Sequence, residues 1–504
     1  MGALSWMIPS GRVSLHHAAR TIQLPKKKNA VAGGADASSE SSSISLAELC
    51  ERTTPKECRL NPLLFNGHLQ TGCTVIYKED VPVYYKRRVF DAETPVNYEG
   101  TFAVDFVVPP EQGKTSTPLD KKNGNTGETG DVSETSRLLG ENPPSDLPER
   151  TSYYTEEEFS SLGSETDTTP MLVVLHGLSG GSHEIYVRHI LKPLCYEHKW
   201  AACVVNSRGC AQSKVTTPMM YNARATWDCR QMVGWLHKKY PKRPLFGIGF
   251  SLGANILANY VGEEGESCLL KSAVYVSNPW NLEAGSLALQ RTLIGKEIYS
   301  RAMGINMKKL FKTHIDEISK HKRVNVDRIM NITYLHEFDR SGPVWGYPTE
   351  TAYYRDASSS DSIFSMKIPY LVVHAEDDPI SQKECLPYGE VQATPYGVMC
   401  TSSWGGHLGW FQSGGTRWMT APVVNYLTTL ATEIDLDAPV IVPKDEDNVP
   451  PKDRPMPDVA KPGTSVTEDM AEASGVEKFE GPDLRFEPMR RKLAMPHLAD
   501  KHYS

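Results

Sequence analysis

Six short apolar runs constrain this chain more than any other feature. They occupy residues 170–177, 201–209, 244–250, 272–279, 370–378 and 398–403, and most are closed by Gly, Asn or Asp. Runs of this length with no polar alternation read as strands buried on both faces. Amphipathic helical patterns separate most of them, at 184–198, 225–240, 251–263 and 416–434. Two earlier runs, 82–90 and 101–109, read as additional strands. Such alternation predicts the α/β class: a mostly parallel, eight-stranded sheet with helices on both faces. Functional groups in sheets of this kind collect at the carboxyl ends of the strands. Residues 280–367 break the alternation with amphipathic helix patterns, too long for a connection, and are read as a cap over that end.

Polar segments frame this core. Residues 1–60 are read as an arm and flexible linker, 110–169 as a polar, disordered insertion, and 435–504 as a disordered acidic, Pro-rich tail, because such compositions cannot offset chain entropy by burying apolar surface. That leaves 61–434 as the folded domain. The net charge of -7 contains no basic stripe, which argues against nucleic acid as a partner. No run reaches the eighteen or so apolar residues that a membrane span needs, and no signal-peptide pattern is present. Arg12, Arg20 and Lys26 to Lys28 precede the first acidic residue, Asp36, a weak mitochondrial-type signal that a plain basic arm explains as well. The ten cysteines form neither a CxxC pair nor a zinc pattern. An intracellular protein with free thiols is expected, in the cytoplasm or at a lipid-droplet or mitochondrial surface.

The chemistry centres on Gly249-Phe250-Ser251-Leu252-Gly253, a G-x-S-x-G pattern between a buried-strand run and a helix. A serine there sits on a tight strand-to-helix turn, and small residues two before and two after it let the backbones approach. Gly177-Leu178-Ser179-Gly180-Gly181 matches the pattern too, but in a glycine-rich loop whose helix starts only near Glu184. Ser251 is therefore the candidate nucleophile. The loop from His176 then supplies the oxyanion hole, with the backbone N–H groups of Leu178 and Leu252 as donors. The order of a triad on such a sheet is serine, acid, histidine. Asp378 is the candidate acid, with Asp377 the alternative, and His407, in a Gly-flanked loop after the last strand, is the candidate base. Arg208 is read as a structural hydrogen-bonding residue at a strand end, and His183 with Glu184 as a cap of the first core helix.

Eight segments together carry a resemblance: those starting at Asn61 (NPLLFNGHLQT), His176 (HGLSGGSHE), Asn206 (NSRGC), Gly249 (GFSLGAN), Tyr260 (YVGEEGE), Ser277 (SNPWNL), Ala375 (AEDDPI) and Gly405 (GGHLGW). As a set, over about residues 61–434, they resemble the AB-hydrolase family 4, whose members include ethyl ester synthase/esterases and a monoacylglycerol lipase. The resemblance implies the α/β-hydrolase fold and a triad falling on Ser251, Asp378 and His407. It implies medium-chain fatty acyl esters as substrates: hydrolysis, or acyl transfer to a small alcohol such as ethanol with acyl-CoA as co-substrate. Monoacylglycerol or phospholipid hydrolysis is the alternative, and a non-catalytic lipid binder a further one. No cofactor or metal is implied, and peripheral contact with a membrane or lipid droplet is. The H-x4-D motif of some acyltransferase relatives is absent. On the cap, Leu287, Leu289, Leu293, Ile294, Ile298, Met303 and Ile305 are expected to face either the core or an acyl chain.

Overall fold

The computed structural model describes residues 10–27, 42–93, 99–113, 147–322, 324–340 and 347–443. All eight anticipated strands form: β5 (Tyr84–Asp91), β6 (Thr101–Val108), β8 (Met171–Leu175), β9 (Ala201–Asn206), β10 (Leu245–Phe250), β11 (Leu270–Val276), β12 (Tyr370–Ala375) and β13 (Gly397–Ser402). Among the described residues the sheet nevertheless has eleven strands, not eight: with β1 (Ser10–His16), β4 (Glu57–Arg59) and β7 (Thr151–Tyr153) added, the order is β4-β1-β13-β12-β11-β10-β8-β9-β6-β5-β7. Strands β9, β8, β10, β11, β12 and β13 run parallel. Their side chains are buried almost without exception, as unbroken apolar runs require.

The three added strands come from segments read as irregular. In the arm, β1 (Ser10–His16) pairs antiparallel with β13, and β4 (Glu57–Arg59) continues the edge. Between them, β2 (Gln23–Pro25) and β3 (Ser43–Ser45) form a small sheet. Ile22, Leu24 and Ile44 are buried there, and α1 (Leu46–Thr53) adds Leu46, Leu49 and Cys50 to the main core. The arm's apolar residues come singly within polar text, a pattern that pairings of three or four residues satisfy and that leaves no apolar run to read. The folded unit thus begins well before residue 61; of residues 1–60, 1–9 and 28–41 lie outside the described residues.

The polar insertion is likewise not irregular throughout. Residues 114–146 lie outside the described residues, but β7 (Thr151–Tyr153) adds parallel to β5 and is followed by a short helix, Glu156–Ser160. That helix has a capping box between Thr155 and Glu158 and lays Phe159 on Trp235, stacked at 5.6 Å. The tail's first residues return to the arm, where Ile441 bridges Gln23 and Ile434 bridges Lys26; residues 444–504 lie outside the described residues. None of the ten cysteines is bonded to another. Among the described residues, no helix is long and apolar enough to cross a membrane.

The described residues of 280–367 form a set of helices between β11 and β12, among them Leu282–Arg291 and Arg301–Thr313. They have a core of their own, built on Met307, Phe311, Ile318, Ile329, Phe338 and Tyr353, against Val215, Met220 and Ala223 from the loop after β9.

Candidate active site

The β10 strand runs into the helix Leu252–Glu264 through a single residue, Ser251, at φ 50°, ψ -120°. A non-glycine residue is strained there. The strain is held by bonds on both sides: Ser251 N–H donates to the Val276 carbonyl at 2.9 Å, and its own carbonyl accepts from Ala254 at 2.9 Å. The flanking glycines have a measurable reason. A Cβ on Gly249 would stand 2.4 Å from Ala254 Cα, and one on Gly253 2.4 Å from the carbonyl oxygens of Leu175 and His176.

His407 Nε2 lies 2.9 Å from Ser251 Oγ, and its Nδ1 lies 2.8 Å from Asp378 Oδ2. A carboxylate only accepts, so Nδ1 carries the proton and Nε2 is left to accept from the serine hydroxyl. The other carboxylate oxygen of Asp378 accepts from the amides of Ile380 and Ser381 at 2.8 and 2.9 Å. Burial alone would push its pKa up; the charge and hydrogen bond of His407, with help from His374 and Ser381, hold it below the ordinary carboxylate range. Asp377 faces elsewhere: its Oδ1 accepts from Gly406 N–H at 2.9 Å, and burial pushes its pKa up. Of the two carboxylates, Asp378 is the one in contact with His407. Ser179 also has a positive φ, of 54°, but its amide donates to Tyr221 Oη at 2.8 Å and it sits in the loop rather than on the histidine.

The loop from His176 carries the other expected donor. Leu178, Ser251 and Leu252 line one cavity, and among the described residues the amides of Leu178 and Leu252 donate to no protein acceptor. Buried polar groups fix this loop. His176, whose pKa burial lowers to about 4, stays neutral; its Nδ1 donates to the Gly177 carbonyl at 2.7 Å and its Nε2 accepts from Ser207 N–H at 3.0 Å. Tyr186 Oη accepts from Gly177 N–H at 2.9 Å. Ser182 Oγ donates at 2.6 Å to Asp105, itself in a buried bidentate pair with Arg87 at 2.6 and 2.7 Å. Arg208 makes a similar pair with Asp228 at 2.9 and 2.7 Å. Glu184 is the N-cap residue of Ile185–Leu191 without a side-chain capping bond, and His183 lies 3.8 Å from it.

Sequence reasoning left one element of the site without a role. The helix α2 (Gly67–Ile76) starts at Asn66, whose side chain caps it by accepting from Leu69 N–H. It holds the histidine loop: Thr71 Oγ1 accepts from His407 N–H and Gln70 Oε1 from Phe411 N–H, both at 2.8 Å. Gly67 must be a glycine, since a Cβ would lie 1.9 Å from the Asp377 carbonyl oxygen. The Asn66-Gly67 pair is a helix-start signal that could have been read.

The cavity at Ser251 has a volume of about 110 Å³. Its walls are largely apolar, with Leu178, Leu252, Pro279 and Ile380 near the sheet and Leu282, Leu289, Met303, Leu335 and Tyr353 from the cap. Of the seven cap residues singled out from sequence, only Leu289 and Met303 line it. Leu287, Leu293, Ile294, Ile298 and Ile305 are 43–79% exposed, on the outer side of the cap. Among the described residues, no group of three or more His, Cys, Asp or Glu side chains could hold a metal ion.

Comparison with known proteins follows this geometry. The profile of the α/β hydrolase fold family matches residues 170–388. The chain is 34% identical to a monoacylglycerol lipase of Saccharomyces cerevisiae, over 78% of this chain and 86% of that protein. It is 30% identical to medium-chain fatty acid ethyl ester synthase/esterase 2 of the same yeast, over 73% and 85%. Human phospholipase ABHD3 is 29% identical over 51% of this chain and 62% of its own length.

Proposed function

Because this chain belongs to the α/β-hydrolase family and is a serine ester hydrolase of lipid esters, we propose that Ser251, His407 and Asp378 are its catalytic triad and that medium-chain fatty acyl esters are its substrates. The observation that carries the reading is the continuous chain from Asp378 through His407 to Ser251, at 2.8 and 2.9 Å, opening into an apolar cavity.

In this reading Ser251 Oγ attacks the ester carbonyl as His407 Nε2 takes its proton. The negative charge on the carbonyl oxygen is met by the amides of Leu178 and Leu252. The tetrahedral intermediate collapses, and the alcohol leaves with the proton from His407. Water, deprotonated by His407, then attacks the acyl-serine and releases the fatty acid. A small alcohol in place of water gives a new ester, and acyl-CoA in place of the first ester gives the same acyl-serine. Transfer is therefore part of the proposal, with ethanol as the model acceptor. Esters with apolar acyl chains partition out of water into membranes and lipid droplets, so peripheral contact with such surfaces belongs to the proposal too.

The test is labelling with a fluorophosphonate, followed by an acyl ester panel with and without ethanol. Ser251→Ala should lose both labelling and hydrolysis, and Ser179→Ala should keep both. The reverse pattern overturns the assignment, and absence of labelling in the unsubstituted chain favours a lipid binder.

A further inference from the structure

Besides the hydroxyl residues Ser286, Ser300, Tyr353 and Tyr354, the cavity at Ser251 is lined by a carboxylate and an imidazole that the triad does not use, Asp339 and His336. Both come from the short helix Leu335–Arg340, at positions i and i+3, which share a face. Asp339 is only 8% exposed and lines the cavity. Tyr354 Oη donates to its Oδ2 at 2.6 Å, and among the described residues its carboxylate accepts no other hydrogen bond. Among the described residues no cation pairs with it: Arg340, the next residue, pairs with Glu350 at 2.7 Å. Burial accordingly pushes its pKa up to about 7. His336 lines the same cavity, stacked on Tyr334, and its buried Nδ1 has no hydrogen-bond partner among the described residues.

A carboxylate and an imidazole with unused capacity, on the wall of a largely apolar cavity, are costly unless something occupies them. A fatty acyl chain cannot. A hydroxyl can: it donates to the carboxylate and exchanges a hydrogen bond with the imidazole. We propose that Asp339 and His336 form a hydroxyl-binding subsite that takes a hydroxyl-bearing group of the ester substrate while Ser251 attacks its carbonyl. This rests on the reading of Ser251 as nucleophile. The hydroxyl has two chemical sources: a polyol on the alcohol side, as in a glyceryl ester, or a hydroxylated acyl chain.

The experiment compares kcat/KM of the full chain for three esters: 1-decanoylglycerol, methyl 3-hydroxydecanoate and ethyl decanoate, the last as the hydroxyl-free reference. A site built around a hydroxyl rejects an analogue that lacks it, because its own buried groups are left unpaired. The unsubstituted chain should therefore prefer at least one hydroxylated ester over the reference by about ten-fold or more. Asp339→Asn and His336→Phe should each lower that ratio by at least about five-fold. Fluorophosphonate labelling of Ser251 checks that each variant is folded, and if Asp339→Asn is not, His336→Phe and the unsubstituted chain decide. Loss confined to the glyceryl ester places the hydroxyl on the alcohol side, and loss confined to the hydroxyacyl ester places it on the acyl side. An unsubstituted chain without the preference, or ratios that folded variants leave unchanged, overturns the subsite: Asp339 then only ties its helix to Tyr354. Hydrolysis of none of the three overturns the esterase reading itself, which is a different result.

Discussion

Asp377 and Asp378 are adjacent carboxylates that hold the same loop by different atoms. Asp378 bonds the His407 ring, whereas Asp377 bonds the backbone of Gly406. Asp378→Asn removes the acceptor that keeps the proton on Nδ1, so turnover should fall by about 10⁴-fold with the fold intact. Asp377→Asn keeps an oxygen for Gly406 N–H and should cost far less; equal losses in an ester assay would refute the distinction. His176 gives a second residue-level test. Its folded pKa of about 4 lies below the ordinary 6.5, so the unfolded chain binds the extra proton first. Its contribution to stability is complete above pH 6.5 and is lost as pH falls towards about 4. The melting temperature of the unsubstituted chain should decline more steeply between pH 7 and 5 than that of His176→Gln, and parallel slopes would exclude the effect. What could be read at this scale was whatever a side chain must be. Gly249 and Gly253 mark Ser251 because a Cβ does not fit there. Asp339 and His336 belong to no pattern in the sequence, because only the fold of the cap turns them towards the serine cavity.

Short elements were where sequence reading and structure parted. A strand of the central sheet announces itself by an unbroken apolar run, but β7 is Thr151–Tyr153, and its neighbouring helix has one aromatic that matters, Phe159. That aromatic lies on Trp235 and under the Arg88 guanidinium, 4.3 Å from the ring centre. Replacing residues 114–146 by a short Gly/Ser link should therefore leave a soluble, labelled enzyme, since lengthening or shortening a loop changes closure entropy only slowly. Extending the deletion through residue 160 should lower the yield of soluble protein or the melting temperature sharply. Equal behaviour of the two deletions would mean that β7 and its helix contribute little. The pair between β5 and β6 is the stricter case. Asp105→Ala leaves Arg87 buried without its partner, a loss of about 3–5 kcal/mol for such pairs. It also releases Ser182 in the loop after β8, so urea unfolding and esterase activity should both suffer.

Across the whole molecule, the cap decides what reaches Ser251, and its sequence alone did not show which face does so. An amphipathic pattern says that one side is apolar; it does not say whether that side meets the sheet, its own neighbours or solvent. Here the cap keeps a core around Met307 and Phe311, sends Leu289 and Met303 to the serine cavity, and leaves Leu293 79% and Ile298 57% exposed. The cavity at Ser251 is thus lined by fewer of the apolar cap residues than the sequence pattern offered. Each methylene removed from water contributes about 0.8 kcal/mol, so preference should climb with chain length until the cavity is filled and then fall. On para-nitrophenyl esters, acyl chains of about C6 to C12 should exceed acetate by at least ten-fold in kcat/KM, a ratio that two methylenes suffice to give. The cap geometry adds a directional test. Met303→Trp or Leu289→Trp fills the cavity and should move the optimum to shorter chains, whereas Leu293→Trp, on the outer face, should leave the optimum where it is. An optimum unmoved by Met303→Trp and Leu289→Trp in folded, labelled protein would place the acyl chain elsewhere, and best activity on acetate would remove the medium-chain assignment while leaving Ser251 as the nucleophile.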